Sequence, residues 1–494
     1  IKVLNMHAHR DILVYTEKDL CRVCYTCVRE CPVKAIRILN GQAEIISERC
    51  IGCGNCVKVC SQKAKRYLDT TDKVLSLLQS APPRIALLAP SFPAEFIELD
   101  DPGILVGMIR KLGFDLVIEV GFGADMVASE YEMLLGDAAA GPTISSDCPA
   151  IVQYIEQYFP HLVPYLAPVV SPMLAATRLM RKRYGSAPVV FIGPCIAKKL
   201  ETDEVDEVIT FTELRSLFAR EGISPETATI SEFDPPRARK GAIFPVSRGL
   251  LQTMNRTEDI VQGDLIVAEG RVHFREAIKE FEADALGKQH LEVLCCEGCV
   301  MGPGMSPGTK RLARMRKVTS YVRAKMNGGF KGTWEDELGD DELIDLSQHF
   351  EARDRRSGTP DEEAIQTILN GMGKHDARDH LNCGACGYDT CYEHAQAVAQ
   401  GLAENEMCLP FAIETLHRSV QELHISNESL ANAREALRQS EKLAHMGQLS
   451  AGIAHELNNP LGVITMYANI LLEETAGNAA LRDDLQLIVD QTQR

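Results

Sequence analysis

The sequence predicts a multidomain protein that is α/β in its N-terminal and central parts and helical in its C-terminal part. Three observations predict this: two dense cysteine runs within residues 21–60, an alternation of β-branched and amphipathic segments from about residue 82, and a leucine repeat that begins near residue 411. A chain of 494 residues is long enough for roughly three or four domains.

Composition narrows the range of partners. The formal net charge of −17 argues against nucleic acid. No uncharged apolar run approaches the roughly 18 residues of a membrane span, and no signal peptide is visible, so we expect a cytoplasmic protein with no membrane partner. The 17 cysteines of such a chain are expected to bind metal or iron–sulfur clusters rather than to form disulfides. Because the chain begins at Ile1, we expect that its start is missing.

The first predicted domain, residues 10–75, carries two matching cysteine runs. "CRVCYTCVRECP" (21–32) and "CIGCGNCVKVC" (50–60) have the same spacing, and in the bacterial ferredoxin pattern the fourth cysteine of each run ligates the other cluster. Two 4Fe–4S clusters are therefore predicted, one held by Cys21, Cys24, Cys27 and Cys60 and the other by Cys31, Cys50, Cys53 and Cys56. Pro32 is expected to begin a short helix at "VKAI", and Asn40-Gly41 to turn a β-hairpin. A zinc ribbon is the alternative.

Residues 82–350 have the pattern of an α/β domain with a largely parallel sheet. "RIALLAP", "DLVIEV" and "APVVFIGP" predict strands, and "GILVGMIRKLG" and "IVQYIEQYF" predict helices. In such sheets ligands bind where strands end. Cys195 follows one predicted strand and Cys148 precedes a helix. A lone cysteine is usually a small buried core residue, so each of these gains meaning only from its context.

Three segments supply that context: "SSDCPA" (145–150), "GPCIAKKLE" (193–201) and "EVLCCEGCVMGPG" (292–304). Together, and behind a ferredoxin-like module, they resemble the three motifs of iron-only (FeFe) hydrogenases. The resemblance implies a 4Fe–4S cubane and, bridged to it by Cys299, a diiron site with CO and CN ligands. The implied cubane ligands are Cys148, Cys195, Cys299 and one of Cys295 and Cys296. Cys295 keeps the usual spacing to Cys299, whereas the flanking "EVL" aligns with Cys296, so both remain candidates.

Other residues of these motifs bear on activity. Lys198 stands where the family uses a lysine to hydrogen-bond a cyanide, and Ser91 in "APSF" is a candidate for similar work. Asp147 occupies the place of a cysteine that relays protons in fast hydrogenases, and Gly193 replaces a methionine. A carboxylate relays protons with a different pKa and reach from a thiol. We expect a site that keeps its metal without being tuned for turnover; lineage drift in a working enzyme is the alternative.

A third cysteine group lies in the predicted domain 375–410. "CGACGYDTC" is followed by a cysteine two residues before Pro410. The four cysteines resemble those of a small 4Fe–4S domain found in redox-complex subunits and corrinoid proteins. They are Cys383, Cys386, Cys391 and Cys408. Zinc is the alternative here as well.

The tail is predicted to be helical. Leucines recur every seven residues in 411–445, which predicts a dimeric coiled coil. "EKLAHMGQLSAGIAHELNNPLG" then resembles the dimerisation and phosphoacceptor domain of sensor histidine kinases, a helical hairpin expected over 440–494. The resemblance implies that His455 is phosphorylated, that Glu456 accepts its proton and that Asn459 serves phosphotransfer. No glycine-rich nucleotide-binding region follows, so ATP is expected through a domain absent from this chain.

These elements predict a homodimeric histidine kinase that senses H2 or a redox signal through a hydrogenase-like domain. Its expected partners are H2, an electron carrier such as ferredoxin, and a response regulator. Two alternatives remain: a catalytic FeFe hydrogenase whose tail only dimerises it, and an iron–sulfur redox sensor that lacks a diiron site.

Overall fold

A computed structural model describes residues 12–137, 141–256, 263–287, 289–328, 334–338, 344–356, 358–475 and 479–494. The first two residues of the predicted 10–75 domain, and Ile1 with its expected missing start, lie outside these ranges. The chain divides into two compact units, Ile1–Leu409 and Pro410–Arg494. None of the described helices has both the length and the apolar character that crossing a bilayer requires.

The cysteine module is built from two similar halves. Each cysteine run leads into a short helix, α1 (Thr26–Glu30) or α2 (Asn55–Val59). The predicted hairpin is confirmed: β2 (Ile36–Leu39) pairs antiparallel with β3 (Gln42–Ile45) through a turn at Asn40 and Gly41, both with positive φ. β1 (Val14–Thr16) pairs antiparallel with β4 (Lys65–Tyr67).

The helix predicted at "VKAI" is wrong. The chain turns at Pro32 and Val33 and enters β2 directly. Ile36 and Ile38 are buried on one face while Arg37 between them is not, which is the two-residue period of a half-buried strand. Pairing with β3 thus outweighs the local preference that a proline gives for starting a helix.

The central domain contains a four-stranded parallel sheet with the order β6-β5-β7-β8. Its strands are β5 (Ile85–Leu88), β6 (Leu116–Glu119), β7 (Val189–Gly193) and β8 (Glu207–Thr210). The first three are those the sequence predicts. A further parallel pair joins β9 (Leu265–Glu269) to β10 (His290–Leu294). Every residue of β5 and β7 is buried, as expected for a parallel sheet covered on both faces.

Helices pack around the strands of the central domain and connect them. They are α3 (Thr71–Leu77), α4 (Phe92–Glu95), α5 (Pro102–Leu112), α6 (Val120–Gly136), α7 (Pro149–Tyr158), α8 (Pro172–Tyr184), α9 (Phe211–Arg220), α10 (Gly249–Thr253), α11 (His273–Glu282) and α12 (Arg311–Asn327). The two predicted helices correspond to α5 and α7. The core between helices and sheet is apolar, with Phe122 and Phe211 among its fully buried side chains.

The remaining helices follow the central domain. α13 (Glu362–Gly371) and α14 (Cys391–Ala399) belong to the first unit. α15 (Leu409–Glu474) runs without interruption through the predicted coiled-coil segment and beyond His455, and α16 (Ala479–Thr492) follows it. The hydroxyls of Thr465 and Thr492 lie 2.7 Å apart, so the end of α15 contacts α16.

Candidate metal centres

The eight cysteines of the first module form two sets that cross between its halves. Burial raises the pKa of Cys27, and the nearby Cys21, Cys24 and Cys60 raise it further. We call these four cysteines the outer group. Burial likewise raises the pKa of Cys56, with Cys53, Cys31 and Cys50 as its neighbours. Those four form the middle group. The structure thus brings together the two sets of thiols that the sequence spacing predicts.

Tight turns present these thiols. Tyr25 and Gly54 occupy equivalent positions immediately before α1 and α2, and both have left-handed backbone conformations. Gly54 is also held close to the central domain, because a Cβ at this position would lie 2.6 Å from Pro303 Cγ. Since φ is +69° there as well, only glycine fits without displacement.

The three motif loops of the central domain converge on a further thiol site, distinct from the two groups of the cysteine module. Cys195 follows β7, and Cys148 is the residue before α7. The loop before Cys148 is tied to β10, because Ser145 N donates to Leu291 O at 2.8 Å and Ser145 Oγ accepts from Val293 N at 3.0 Å. These hydrogen bonds bring the first motif beside the third.

The electrostatic neighbours of the thiols separate Cys296 from Cys295. Burial raises the pKa of Cys296, and Cys195, Cys148 and Cys299 raise it further. The same burial raises the pKa of Cys299, next to Cys148 and Cys195. We call Cys148, Cys195, Cys296 and Cys299 the inner group.

Cys295 faces the cysteine module instead. Its thiol lies beside that of Cys53 of the middle group, and this side-chain interaction raises the pKa of Cys295 and lowers that of Cys53. Its backbone N–H donates to the Cys148 sulfur, a contact that lowers the pKa of Cys148 against the dominant effect of burial. Cys295 therefore lies between the inner and middle groups.

Three polar residues predicted to act at this site have different surroundings. Lys198 Nζ forms an ion pair with Glu201 Oε2 at 2.6 Å, and its charge lowers the pKa of Cys195 against the larger effect of burial. Ser91 is fully buried, and its hydroxyl makes no hydrogen bond within the described residues. Burial raises the pKa of Asp147 to about 6, opposed in part by Lys198. The structure thus places Asp147 and Lys198 beside these thiols.

Glu292 is a candidate functional residue that the sequence analysis did not identify. It lies on β10 with 2% of its surface exposed, and burial raises its pKa to about 8, with the nearby Asp147 adding to the effect. Its Oε2 atom has no hydrogen-bond partner in the described structure. The signal was available: an acid in the otherwise apolar run "LEVL" has to be buried with the strand.

The third cysteine group lies around a glycine-rich turn. Burial raises the pKa of Cys386, and Cys408 and Cys383 contribute further. Cys391 begins α14 at the end of the same turn. We call Cys383, Cys386, Cys391 and Cys408 the third-domain group. Across the described residues, no three His, Cys, Asp or Glu side chains are arranged to hold a single metal ion.

The predicted phosphoacceptor residues lie on α15. His455, Glu456 and Asn459 are all exposed in the single chain. His455 and Asn459 are four residues apart, so they share one face of the helix, whereas Glu456 projects from a neighbouring direction.

Four parts of the chain match known families. Residues 83–303 match "Iron only hydrogenase large subunit, C-terminal domain", and residues 13–61 match "4Fe-4S dicluster domain". Residues 379–410 match an Fe-S cluster family, and residues 445–494 match "His Kinase A (phospho-acceptor) domain". The chain joins an iron-only hydrogenase domain to a His Kinase A domain. The 4Fe–4S dicluster domain precedes the hydrogenase domain, and the Fe–S domain lies between it and the kinase domain.

Individual relatives match parts of this arrangement. NADP-reducing hydrogenase subunit HndD of Solidesulfovibrio fructosivorans is 28% identical over 284 residues, 44% of this chain and 48% of the relative, so the chain spans about half of that protein. Sensor histidine kinase RegB of Cereibacter sphaeroides is 37% identical over 73 residues, 15% of this chain and 16% of RegB. A solved structure of [FeFe]-hydrogenase HydA1 from Chlamydomonas reinhardtii has a TM-score of 0.47 at 20% identity, covering 58% of this chain and 99% of that one.

Proposed function

We propose that this protein is a histidine kinase whose phosphorylation is set by H2, or by the redox state that H2 imposes, at a hydrogenase-type site. The inner group carries the proposal: four half-buried cysteines come from three loops distant in sequence, in a chain that also contains a phospho-acceptor domain. In this function H2 is a signal, and its turnover is slow.

The donor chemistry of the inner group suits a 4Fe–4S cubane. Thiolates are the usual ligands of iron–sulfur clusters, and a bound metal favours the deprotonated form that burial alone disfavours. Cys148, Cys195 and Cys296 would hold the cubane, and Cys299 would bridge it to a diiron site with CO and CN ligands. When bound, the diiron site supplies the cleavage and formation of H2.

The surrounding side chains would serve that site in distinct ways. Lys198 is a compact cation and Ser91 a buried hydroxyl donor without a partner in the described structure, so both suit an anionic cyanide. Burial keeps the Asp147 carboxyl protonated up to about pH 6. Its buried Oδ1 has no hydrogen-bond partner among the described residues, so the carboxyl would be able to exchange its proton with a group bound near the thiols. Together these residues orient ligands and move protons.

The other cysteine groups would carry electrons. The outer, middle and third-domain groups each offer four thiols, which suits one 4Fe–4S cluster apiece. An electron carrier such as ferredoxin would exchange electrons with them.

The helical part would deliver the signal. His455 would receive the γ-phosphoryl group of ATP bound by a nucleotide-binding domain, Glu456 would accept its proton, and Asn459 would serve the transfer. A coiled coil over 411–445 would form the homodimer, and α15 with α16 a helical hairpin. A response regulator would take the phosphoryl group from His455.

Infrared spectroscopy tests the diiron site directly. We expect CO and CN stretching bands that shift under H2 in protein made anaerobically with diiron maturation machinery, beside a standard hydrogenase as maturation control. Absence of bands with a positive control would contradict the hydrogenase-type site and would favour a redox sensor with cubanes only.

Phosphorylation tests the link to signalling. We expect the rate of His455 phosphorylation in the complete protein to differ between H2 and argon, with His455→Gln as the unlabelled control. Equal rates would refute H2 sensing. Fast H2 turnover together with equal rates would identify a hydrogenase whose tail only dimerises it.

A further inference from the structure

The Fe–S domain docks on the cysteine module beside α1. Lys34 Nζ donates to Gly387 O and, at 3.3 Å, to Arg29 O, while Arg29 Nη2 donates to Ala385 O at 3.3 Å. At the far side of the contact, Asn40 N donates to a Glu404 carboxylate oxygen at 3.1 Å. Cationic side chains of the cysteine module thus donate hydrogen bonds to backbone carbonyls in the loop of the third-domain group. These hydrogen bonds fix the position of that loop.

The contact is close enough to require glycine. A Cβ at Gly387 would lie 2.9 Å from Arg29 N and 3.2 Å from Arg29 Cα, and φ is +93°. Both restrictions fall on the same residue, so the turn is shaped to lie against the backbone of α1.

Tyr388 connects the third-domain group to the middle group. It is 5% exposed, and the Lys34 ammonium lies 5.4 Å from its ring centroid. Burial raises the pKa of Tyr388, and the nearby Cys386 and Cys31 raise it further. One buried aromatic ring therefore lies near a thiol of each group.

The middle group faces the inner group on another side, where the thiols of Cys53 and Cys295 interact. It consequently has protein contacts in two directions: Tyr388 toward the third-domain group and Cys295 toward the inner group. The described contacts of the outer group's Cys27 are with its own module.

We propose that the third-domain group exchanges electrons with the middle group across the Tyr388 contact, which makes the middle group a branch point for the redox signal. When bound, the clusters supply one-electron transfer, in which the reduced middle cluster loses the electron that the oxidised third-domain cluster gains. The inference rests on the proposed function only for the assignment of iron–sulfur clusters. The electron comes from H2 in that function and from dithionite in the test.

Electron paramagnetic resonance of the complete, anaerobically reconstituted and dithionite-reduced protein tests the pairing. The third-domain signal is identified by its loss in Cys386→Ala. We expect this signal to be broadened by a neighbouring spin, the broadening to survive Cys24→Ala in the outer group, and to disappear in Cys53→Ala in the middle group. The opposite pattern, or a third-domain signal without broadening in the unaltered protein, would overturn the proposal.

A variant of the contact itself tests the proposal without the risk that replacing a cysteine unfolds the protein. Lys34→Met removes the contacts to Gly387 and Tyr388 without altering a cysteine, so we expect full iron content and a broadening at least halved. Lys63→Met is the matched control, an exposed lysine of the same module with no hydrogen bond or ion pair to residues 379–408 in the described structure. Equal broadening in both variants would refute the role of the contact.

The branch point and the proposed function can fail independently of each other. Broadening that follows the expected pattern, in a protein whose phosphorylation ignores H2, would leave the branch point intact and remove only H2 sensing.

Discussion

Replacing Lys199 by methionine should loosen the junction between the cysteine module and the central domain. Lys199 Nζ lies 2.8 Å from Glu213 Oε1 and 2.8 Å from Thr70 Oγ1, and the two paired side chains are 2% and 5% exposed. Removing one partner of a buried ion pair costs about 3–5 kcal/mol because the other charge is left uncompensated. Glu213 keeps hydrogen bonds from the backbone of Thr70 at 3.1 Å and of Thr210 at 2.7 Å, so we expect the lower end, about 3 kcal/mol.

Thermal unfolding of the reconstituted protein, followed by circular dichroism under argon, measures this effect. At about 2–4 °C per kcal/mol for a domain of this size, the melting temperature should fall by roughly 6–12 °C. Arg220→Met is the control, because Arg220 and Asp72 are 55% and 85% exposed and pair at 2.6 Å, an exposed arrangement that contributes little to stability. A fall in Lys199→Met no larger than in the control would refute the reasoning.

Three further predictions concern the inner group, pH and the dimer. Cys296→Ala should lose about four iron atoms per chain on anaerobic reconstitution, whereas Cys295→Ala should lose none; equal losses would contradict the assignment, and the opposite pattern would reverse it. Burial raises the pKa of Asp125 to about 7, so between about pH 4 and pH 7 the folded protein holds a proton that the unfolded chain releases. The melting temperature should therefore fall as pH rises through this range, and it should fall less in Asp125→Asn. Parallel curves of melting temperature against pH for the two proteins would contradict this. Leu423→Lys with Leu430→Lys should shift light scattering toward the monomer, and an unchanged mass would exclude the coiled coil.

The sequence predicted best where chemistry imposes spacing. The thiols that the structure groups around Cys27 and Cys56 follow from two cysteine runs, because ligand spacing leaves little freedom to the loop that presents them. The strands at β5, β6 and β7 were predictable because a strand buried on both faces has to be apolar throughout.

The sequence was insufficient where the structure depends on contacts between distant segments. Local spacing could not choose between Cys295 and Cys296, since the choice follows from which thiol faces Cys53 in another module. β8 was missed because its four residues carry an acid, Glu207, whose burial beside β7 no local pattern reveals. The ligand roles themselves remain predictions.

The start of α15 limits how a redox signal can travel. Within the second unit, α15 runs unbroken from Pro410 past His455, which at about 1.5 Å per residue lies roughly 70 Å along the helix axis, far beyond the reach of electron tunnelling between neighbouring centres. In the proposed function, a redox signal that enters the start of this helix would therefore reach His455 as a mechanical change, such as a small rotation or shift of the first helical turn. A continuous helix transmits such a displacement with little loss, so the stiffness of α15, rather than any potential, would set the fidelity of the signal.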